Sequence, residues 1–164
     1  MIDTSTNKIQ KTLETLRKID FLKNELLKFG IVRSKNSPLG DFSEYITCLT
    51  LELKAQNSTG YDAIGLNGIK YEIKSRTVDV VRIDGALTKF DFFVALFFRK
   101  GSYKLKEVFL ASKQNLQQMK ILKQKARTSK QDRLYLSIND FKGMVEQEKA
   151  KNITYKYIDI LNDN

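Results

Sequence analysis

Histidine and tryptophan are absent from this chain of 164 residues, and cysteine and proline occur once each. Without histidine the chain can form neither a Ser-His-Asp nor a Cys-His catalytic group. A histidine-ligated zinc site is excluded for the same reason, and one cysteine cannot form a thiolate zinc site. Any metal must therefore be held by oxygen ligands, which favours magnesium, manganese or calcium.

Long apolar runs are also lacking, and none approaches the roughly 20 residues that a membrane-spanning helix needs. The N-terminus is polar and charged and has no signal-peptide pattern. Cys48 lies among apolar residues, and we interpret it as a small core hydrophobe, because a single cysteine cannot form an intrachain disulfide. These features favour a soluble protein of the cytoplasm.

Basic residues are in excess, since 29 Lys and Arg face 19 Asp and Glu and the formal net charge is +10. Such an excess favours an acidic polymer as partner. A merely solubilising surface explains the charge equally well when it is taken alone. The acidic residues at 60–74 turn the balance toward nucleic acid.

Hydrophobic spacing predicts an α/β fold in one domain, residues 1–164, with a central mixed β-sheet flanked by helices. Ser37 and Pro38 are typical of the cap and first position of a helix. Gly30 is a plausible stop for the first helix, and residues 55–60 are predicted to form a turn. The expected core is 37–111, followed by a basic segment, a helix and a tail at 112–164. The predicted helices are 6–29, 37–54, 113–122 and 139–149, the last capped by Asn139. A β-hairpin is predicted within 60–74, and its second strand is expected to continue to 83. The other predicted strands are 90–98, 103–111, 133–138 and 155–161.

The hairpin at 60–74 has an unusual charge pattern. Asn67-Gly68 is typical of a tight turn, because both central positions of such a turn adopt positive φ. In the strand that follows, Glu72 and Lys74 point to one face, while the apolar residues beside them point to the other. Asp62 lies near the start of the preceding strand.

The length of the hairpin loop decides whether the two acids meet. With a strict two-residue loop Asp62 would pair with Ile73, and its side chain would point away from Glu72. The acids converge only if the loop has an odd number of residues or a β-bulge intervenes, for which Gly65 is a candidate. We predict such an irregularity.

Two acids and a lysine on one face suit metal-dependent hydrolysis of a phosphodiester. Asp62, Glu72 and the Ile73 carbonyl are the predicted ligands of Mg²⁺, for which Mn²⁺ can substitute. A bound ion of this kind activates water and neutralises phosphate charge. Lys74 is predicted to activate the water or to stabilise charge. Glu44, on the preceding helix, would add a ligand or anchor a second metal or a metal-bound water, because an unpaired carboxylate on a largely buried helix is costly.

Asp62 followed by Glu72-Ile73-Lys74, with Glu44 on the helix before them, resembles the PD-(D/E)XK nuclease superfamily. The resemblance covers roughly residues 37–111, and Tyr61 replaces the motif's proline, at a position that varies widely in the superfamily. It implies a restriction-endonuclease-like fold, in which a helix precedes a three-stranded meander, then a helix and a further strand. It also implies an Mg²⁺-dependent endodeoxyribonuclease with catalytic residues at these four charged positions.

Double-stranded DNA is the expected partner, and cleavage of both strands would suggest a homodimer. Two other functions stay open: a catalytically silent nucleic-acid-binding module of the same fold, and a generic α/β domain whose hairpin acids form salt bridges. A solvated loop is the alternative for the basic residues after 120. The candidate contacts to the DNA backbone are Arg76, Lys120, Lys123, Lys125, Arg127, Lys130 and Arg133.

Overall fold

Two compact units, Met1–Phe42 and Ser43–Asn164, make up the chain. A computed structural model describes residues 4–33, 37–58, 60–84, 87, 89–126 and 133–154. The predicted strand at 155–161 lies outside the described residues, as do Arg127 and Lys130. In the part of the chain that is described, no helix combines the length and the apolar character needed to cross a membrane.

Helix α1 (Thr4–Lys28) is the main element of the first unit, and its 25 residues cover most of the predicted helix. Gly30 follows it with a φ of 71°, the left-handed conformation in which many helices end. The prediction that Gly30 stops this helix is therefore confirmed.

Helix α2 (Pro38–Leu51) begins at the predicted proline and ends a little before the predicted end. Asp41, in its first turn, accepts the backbone N–H of Arg33 at 2.7 Å through Oδ2. The Arg33 guanidinium lies 3.5 Å from the other carboxylate oxygen. This pairing ties Arg33 to the first turn of α2.

The second unit is built mainly of strands. A six-stranded mixed sheet has the spatial order β1-β2-β3-β5-β6-β8, in which β3 and β5 are parallel and the other neighbours are antiparallel. Strand β5 is the predicted apolar strand, and it is almost completely buried. The predicted class, an α/β fold with helices beside a central mixed sheet, is confirmed. The elements are β1 (Lys54–Ser58), β2 (Tyr61–Ile64), β3 (Lys70–Arg76), β4 (Val80–Asp84), β5 (Phe92–Phe98), β6 (Leu105–Ser112), α3 (Lys113–Ala126), β7 (Arg133–Ser137), α4 (Ile138–Glu146) and β8 (Ala150–Asn152).

Strands β4 and β7 form a separate antiparallel ribbon. Alternate residues of β4, Val81 and Ile83, are buried in one continuous core with side chains of the main sheet and of α4. Within that core the rings of Phe109 and Phe141 stack with 5.1 Å between their centroids. The ribbon and α4 thus cover one part of the main sheet.

The predicted continuation of the hairpin strand from Arg76 into Val80 is wrong, because the chain bends at 77–79 and changes sheet. Asp79 explains the change. Its carboxylate accepts hydrogen bonds from Lys106 Nζ at 2.8 Å, and its carbonyl accepts the N–H of Ile138 at 3.0 Å. These partners come from distant parts of the sequence and hold the bend against β6 and the start of α4.

Three smaller predictions are also corrected. The expected turn at 55–60 is mostly strand β1, which pairs with β2 and completes a three-stranded antiparallel meander. Ser137 caps α4 instead of Asn139, and its side chain forms a reciprocal capping box with Asp140. Helix α4 ends at Glu146, short of the predicted end at Lys149, and a turn over 147–149 leads into the edge strand β8.

Candidate active site

The loop between β2 and β3 gives the hairpin its register. Asn67 and Gly68 both have positive φ, 60° and 77°, as the sequence predicts. The N–H of Gly65 donates to the Ile69 carbonyl at 2.8 Å. The loop closed by that pair is the three-residue turn Leu66–Gly68, and it therefore contains an odd number of residues.

This odd loop brings the two acids of the hairpin to one face. Ala63 pairs with Tyr71 and Ile64 pairs with Lys70, so the next position places Asp62 opposite Glu72. Residues opposite each other in an antiparallel pair share a face. The predicted irregularity is confirmed as an odd-numbered loop; Gly65 itself has an extended backbone.

Asp62 is fixed by the backbone of the neighbouring strand. Its Oδ2 accepts the N–H of Ile73 at 2.7 Å. In a strand the N–H and C=O of one residue point to the same edge, so the Ile73 carbonyl also faces β2. The predicted ligand set of Asp62, Glu72 and this carbonyl therefore lies at one edge of β3.

Lys74 completes the cluster on the same face of β3. Its Nζ lies 2.5 Å from Glu72 Oε1 and 4.0 Å from Asp62 Oδ2. The three side chains are only partly exposed, with 35% for Lys74, 21% for Asp62 and 16% for Glu72. Such shielding strengthens the interactions between charges relative to those on an open surface.

Glu72 and Lys74 both have raised pKa values, for different reasons. Burial raises the pKa of the Glu72 carboxyl, and the like charge of Asp62 raises it further against the opposing effect of Lys74. Burial pulls the pKa of Lys74 down, but Glu72, Asp62 and Glu44 together outweigh burial and hold that pKa above its ordinary value. The raised pKa of Lys74 reflects the negative charge around it, and the effect of Asp62 on Glu72 shows that the two carboxylates repel each other, which a bound cation would relieve.

Glu44 joins this cluster through its charge. It lies on α2, partly buried, and is close enough to Lys74 to raise the pKa of the lysine. Within the described residues, however, no group of three or more acidic, cysteine or histidine side chains is arranged to hold a metal ion. The arrangement therefore brings Glu44 to the lysine but does not place it with Asp62 and Glu72 as a third carboxylate ligand.

A hard divalent cation fits the donors that this site offers. Asp62 has two carboxylate oxygens, so Oδ1 can bind a cation while Oδ2 accepts from Ile73. Glu72 adds a second carboxylate, and the carbonyl of Ile73 adds a neutral oxygen. Mg²⁺ is commonly bound by one or two carboxylates together with water and substrate oxygens.

The candidate DNA contacts have different surroundings. Arg76, at the end of β3, donates from Nη1 to the Ser75 carbonyl at 2.8 Å. Lys123 on α3 donates to Asp140 Oδ2 at 2.7 Å, so it also has a structural partner. Lys120 lies on α3 and Arg133 begins β7. The side chain of Lys125 lies outside the described residues.

Sequence reasoning missed Lys89, which precedes β5. Its charge lowers the pKa of Glu72, in opposition to burial and Asp62. No local pattern indicates this proximity, because it depends on how the segment before β5 crosses the hairpin. The only sequence signal is Gly60, whose lack of a side chain leaves room for Lys89.

Comparison with models of known protein families and with curated protein sequences finds no match. The geometry of the site is therefore the basis for any functional assignment.

Proposed function

We propose that this protein is a divalent-metal-dependent endodeoxyribonuclease of the restriction-endonuclease-like type. The observation that carries the proposal is the convergence of Asp62, Glu72 and Lys74 on one face of the β2–β3 hairpin. This convergence needs an odd loop, and a generic charged hairpin has no requirement for one. The net charge of +10 adds support for a polyanionic substrate.

The arrangement of elements supports the same class of nuclease. Helix α2 precedes a three-stranded meander that carries the acids and the lysine, and further strands follow in one mixed sheet. One feature departs from the expected pattern. In the described residues between β3 and β5, the connection contains strand β4 where the resemblance implies a helix.

Asp62, Glu72 and the Ile73 carbonyl would hold Mg²⁺ or Mn²⁺. The ion would supply activation of water and neutralisation of phosphate charge. The protein itself fixes Asp62 through the Ile73 N–H and shields Glu72 from solvent. This preorganisation keeps the donors in place before substrate arrives.

Lys74 would stabilise the charge of the reacting phosphate. Its raised pKa keeps it protonated at neutral pH in the metal-free protein, which supports a charge-stabilising role over that of a base. Glu44 would hold the ammonium group near the acids through its charge. Lys74 would thus act as a cation, and Glu44 would orient it.

A plasmid-nicking assay in Mg²⁺ or Mn²⁺ tests the proposal. Wild-type protein should nick the plasmid, while Asp62→Ala, Glu72→Ala and Lys74→Ala should lose cleavage but still bind DNA in an anisotropy assay. Glu146→Ala, which changes an exposed acid on α4, is the matched control and should cleave normally. Retained cleavage in the three site variants would refute the site. Binding by wild-type protein without cleavage in either metal would instead favour the catalytically silent module.

A further inference from the structure

The segment before β5 is anchored so that it crosses the hairpin at a fixed place. Leu87 and Phe90 are both buried in the core, with 4% and 5% of their surface exposed. Asp91 makes two hydrogen bonds to the start of β3: its N–H donates to the Lys70 carbonyl, and its Oδ2 accepts the Lys70 N–H, both at 2.9 Å. Lys89 lies between Leu87 and Phe90, two positions before the residue that pairs with the start of β3.

Gly60 receives the side chain of Lys89. A Cβ on Gly60 would overlap Lys89 Cδ and would lie only 2.8 Å from Lys89 Cβ and 3.1 Å from Cγ. Gly60 has a φ of 114°, a conformation that other residues rarely adopt. The stem of the lysine therefore lies across the backbone of Gly60, two positions before Asp62, where only glycine provides the space.

The charge of Lys89 is accessible to a ligand at this site, and the two neighbouring lysines have other contacts. Lys74 is drawn to Glu72 at 2.5 Å, and Lys70 Nζ lies over the Tyr61 ring, 5.2 Å from its centroid. Lys89 is exposed, and its side chain lies against the backbone of Gly60, two positions before Asp62. It thus combines a position beside the hairpin with access to solvent.

We propose that Lys89 is a substrate-binding residue, which contacts a backbone phosphate of the nucleic acid at the rim of the Asp62–Glu72–Lys74 cluster. The inference rests on the proposed nucleic-acid function of that cluster and names a contact that the sequence motif does not contain. Gly60 serves this contact, because its lack of a side chain leaves room for the lysine stem two positions before Asp62. A cation at the rim favours the approach of a polyanion, since the carboxylates nearby repel it.

The salt dependence of DNA binding tests the contact separately from catalysis. Full-length wild-type protein and the variants Lys89→Ala, Lys89→Arg and Lys100→Ala would bind a fluorescent DNA duplex in Ca²⁺ over a range of KCl concentrations. Loss of one phosphate contact reduces the slope of log K against log salt by about 0.9. We expect this reduction for Lys89→Ala and the wild-type slope for Lys89→Arg. Lys100, an exposed lysine after the opposite end of β5, is the control and should keep the wild-type slope.

The outcomes separate the two proposals. An unchanged slope in Lys89→Ala, or an equal reduction in Lys100→Ala, would overturn the Lys89 contact, and plasmid nicking by wild-type protein would leave the nuclease proposal standing. A reduced slope specific to Lys89→Ala in a protein that never nicks DNA would support the contact and refute the nuclease. If wild-type protein neither binds nor nicks DNA, both proposals are wrong.

Discussion

Asp62 Oδ2 accepts the backbone N–H of Ile73 at 2.7 Å, so a side chain of β2 takes the place of a backbone partner for β3. The bond places the carboxylate against the strand that carries Glu72 and Lys74. It also means that Asp62 has two separable roles. One is to satisfy a polar group of the backbone, and the other is to provide negative charge.

Substitution of Asp62 by alanine or asparagine should separate these roles. Asp62→Ala leaves the Ile73 N–H without its acceptor, which costs about 1–3 kcal/mol for a buried group. Asp62→Asn keeps an oxygen acceptor and removes the like charge that raises the pKa of Glu72. In metal-free urea denaturation we expect Asp62→Ala to be destabilised and Asp62→Asn to be close to wild type, because the lost repulsion of Glu72 offsets the lost attraction to Lys74. Equal destabilisation of both variants would contradict the separation, and neither variant should nick DNA.

Lys74 should compete with a metal ion for the carboxylates. Its Nζ lies 2.5 Å from Glu72 Oε1 and 4.0 Å from Asp62 Oδ2, and its raised pKa keeps it positively charged. Lys74→Met removes this charge while it keeps most of the volume of the side chain. Calorimetric titration with Mn²⁺ should show several-fold tighter binding to Lys74→Met, although the variant does not cleave DNA.

A second lysine in an ion pair provides the control for this titration. Lys106, on β6, pairs with Asp79 at 2.8 Å and is not part of the Asp62–Glu72–Lys74 cluster. Lys106→Met should bind Mn²⁺ as wild type does. Weaker binding by Lys74→Met than by Lys106→Met would mean that Lys74 supports the metal site instead of competing with it.

The parts of the fold that local sequence determines were predictable. The apolar run that becomes β5 can be identified from its own residues, because continuous apolar residues are typical of a strand buried on both faces. Asn67-Gly68 likewise predicts a turn through its own φ preferences. The three-residue length of the loop does not follow from that pair, and it was predicted only because Asp62 and Glu72 must share a face.

The parts that distant contacts determine were not predictable. Strand β1 has no apolar alternation and forms at the sheet edge by pairing with β2. The bend at Asp79 depends on Lys106 and Ile138, and the approach of Lys89 to Gly60 depends on the path of the chain between β4 and β5. None of these has a signal within the few residues around it.

Asp140 should give the protein part of its stability in a pH-dependent way. Burial alone would raise its pKa, but hydrogen bonds from Lys123 and Ser137 outweigh burial and hold the pKa below the ordinary value of 3.8. A carboxyl with a depressed pKa in the folded state stabilises the protein above its unfolded pKa and loses that contribution as the pH falls through the folded value. In Asp140→Asn the free energy of unfolding should therefore decrease less steeply than in wild type as the pH falls below the ordinary pKa of 3.8.

The same variant should also be less stable at neutral pH, by about 1 kcal/mol, because it weakens the cap of α4. Urea denaturation at neutral and acidic pH measures both effects. Asp79→Asn is the control, since Asp79 pairs with Lys106 at an exposed site where an ion pair contributes at most about 1 kcal/mol. If the free energy of unfolding decreases equally with falling pH in Asp140→Asn and in wild type, Asp140 does not contribute to the pH dependence of stability.

Gly68 should be needed for stability but not for the chemistry of the site. Its φ of 77° is unfavourable for alanine, yet a Cβ at this position would meet no atom within 4 Å. The cost of Gly68→Ala is thus backbone strain alone, about 1–2 kcal/mol. If the three-residue loop persists, Asp62 stays opposite Glu72, and the variant should bind Mn²⁺ as wild type does under conditions where it is folded. If the strain instead shifts the hairpin to a two-residue loop, Asp62 leaves the face of Glu72, and Mn²⁺ binding is lost together with cleavage.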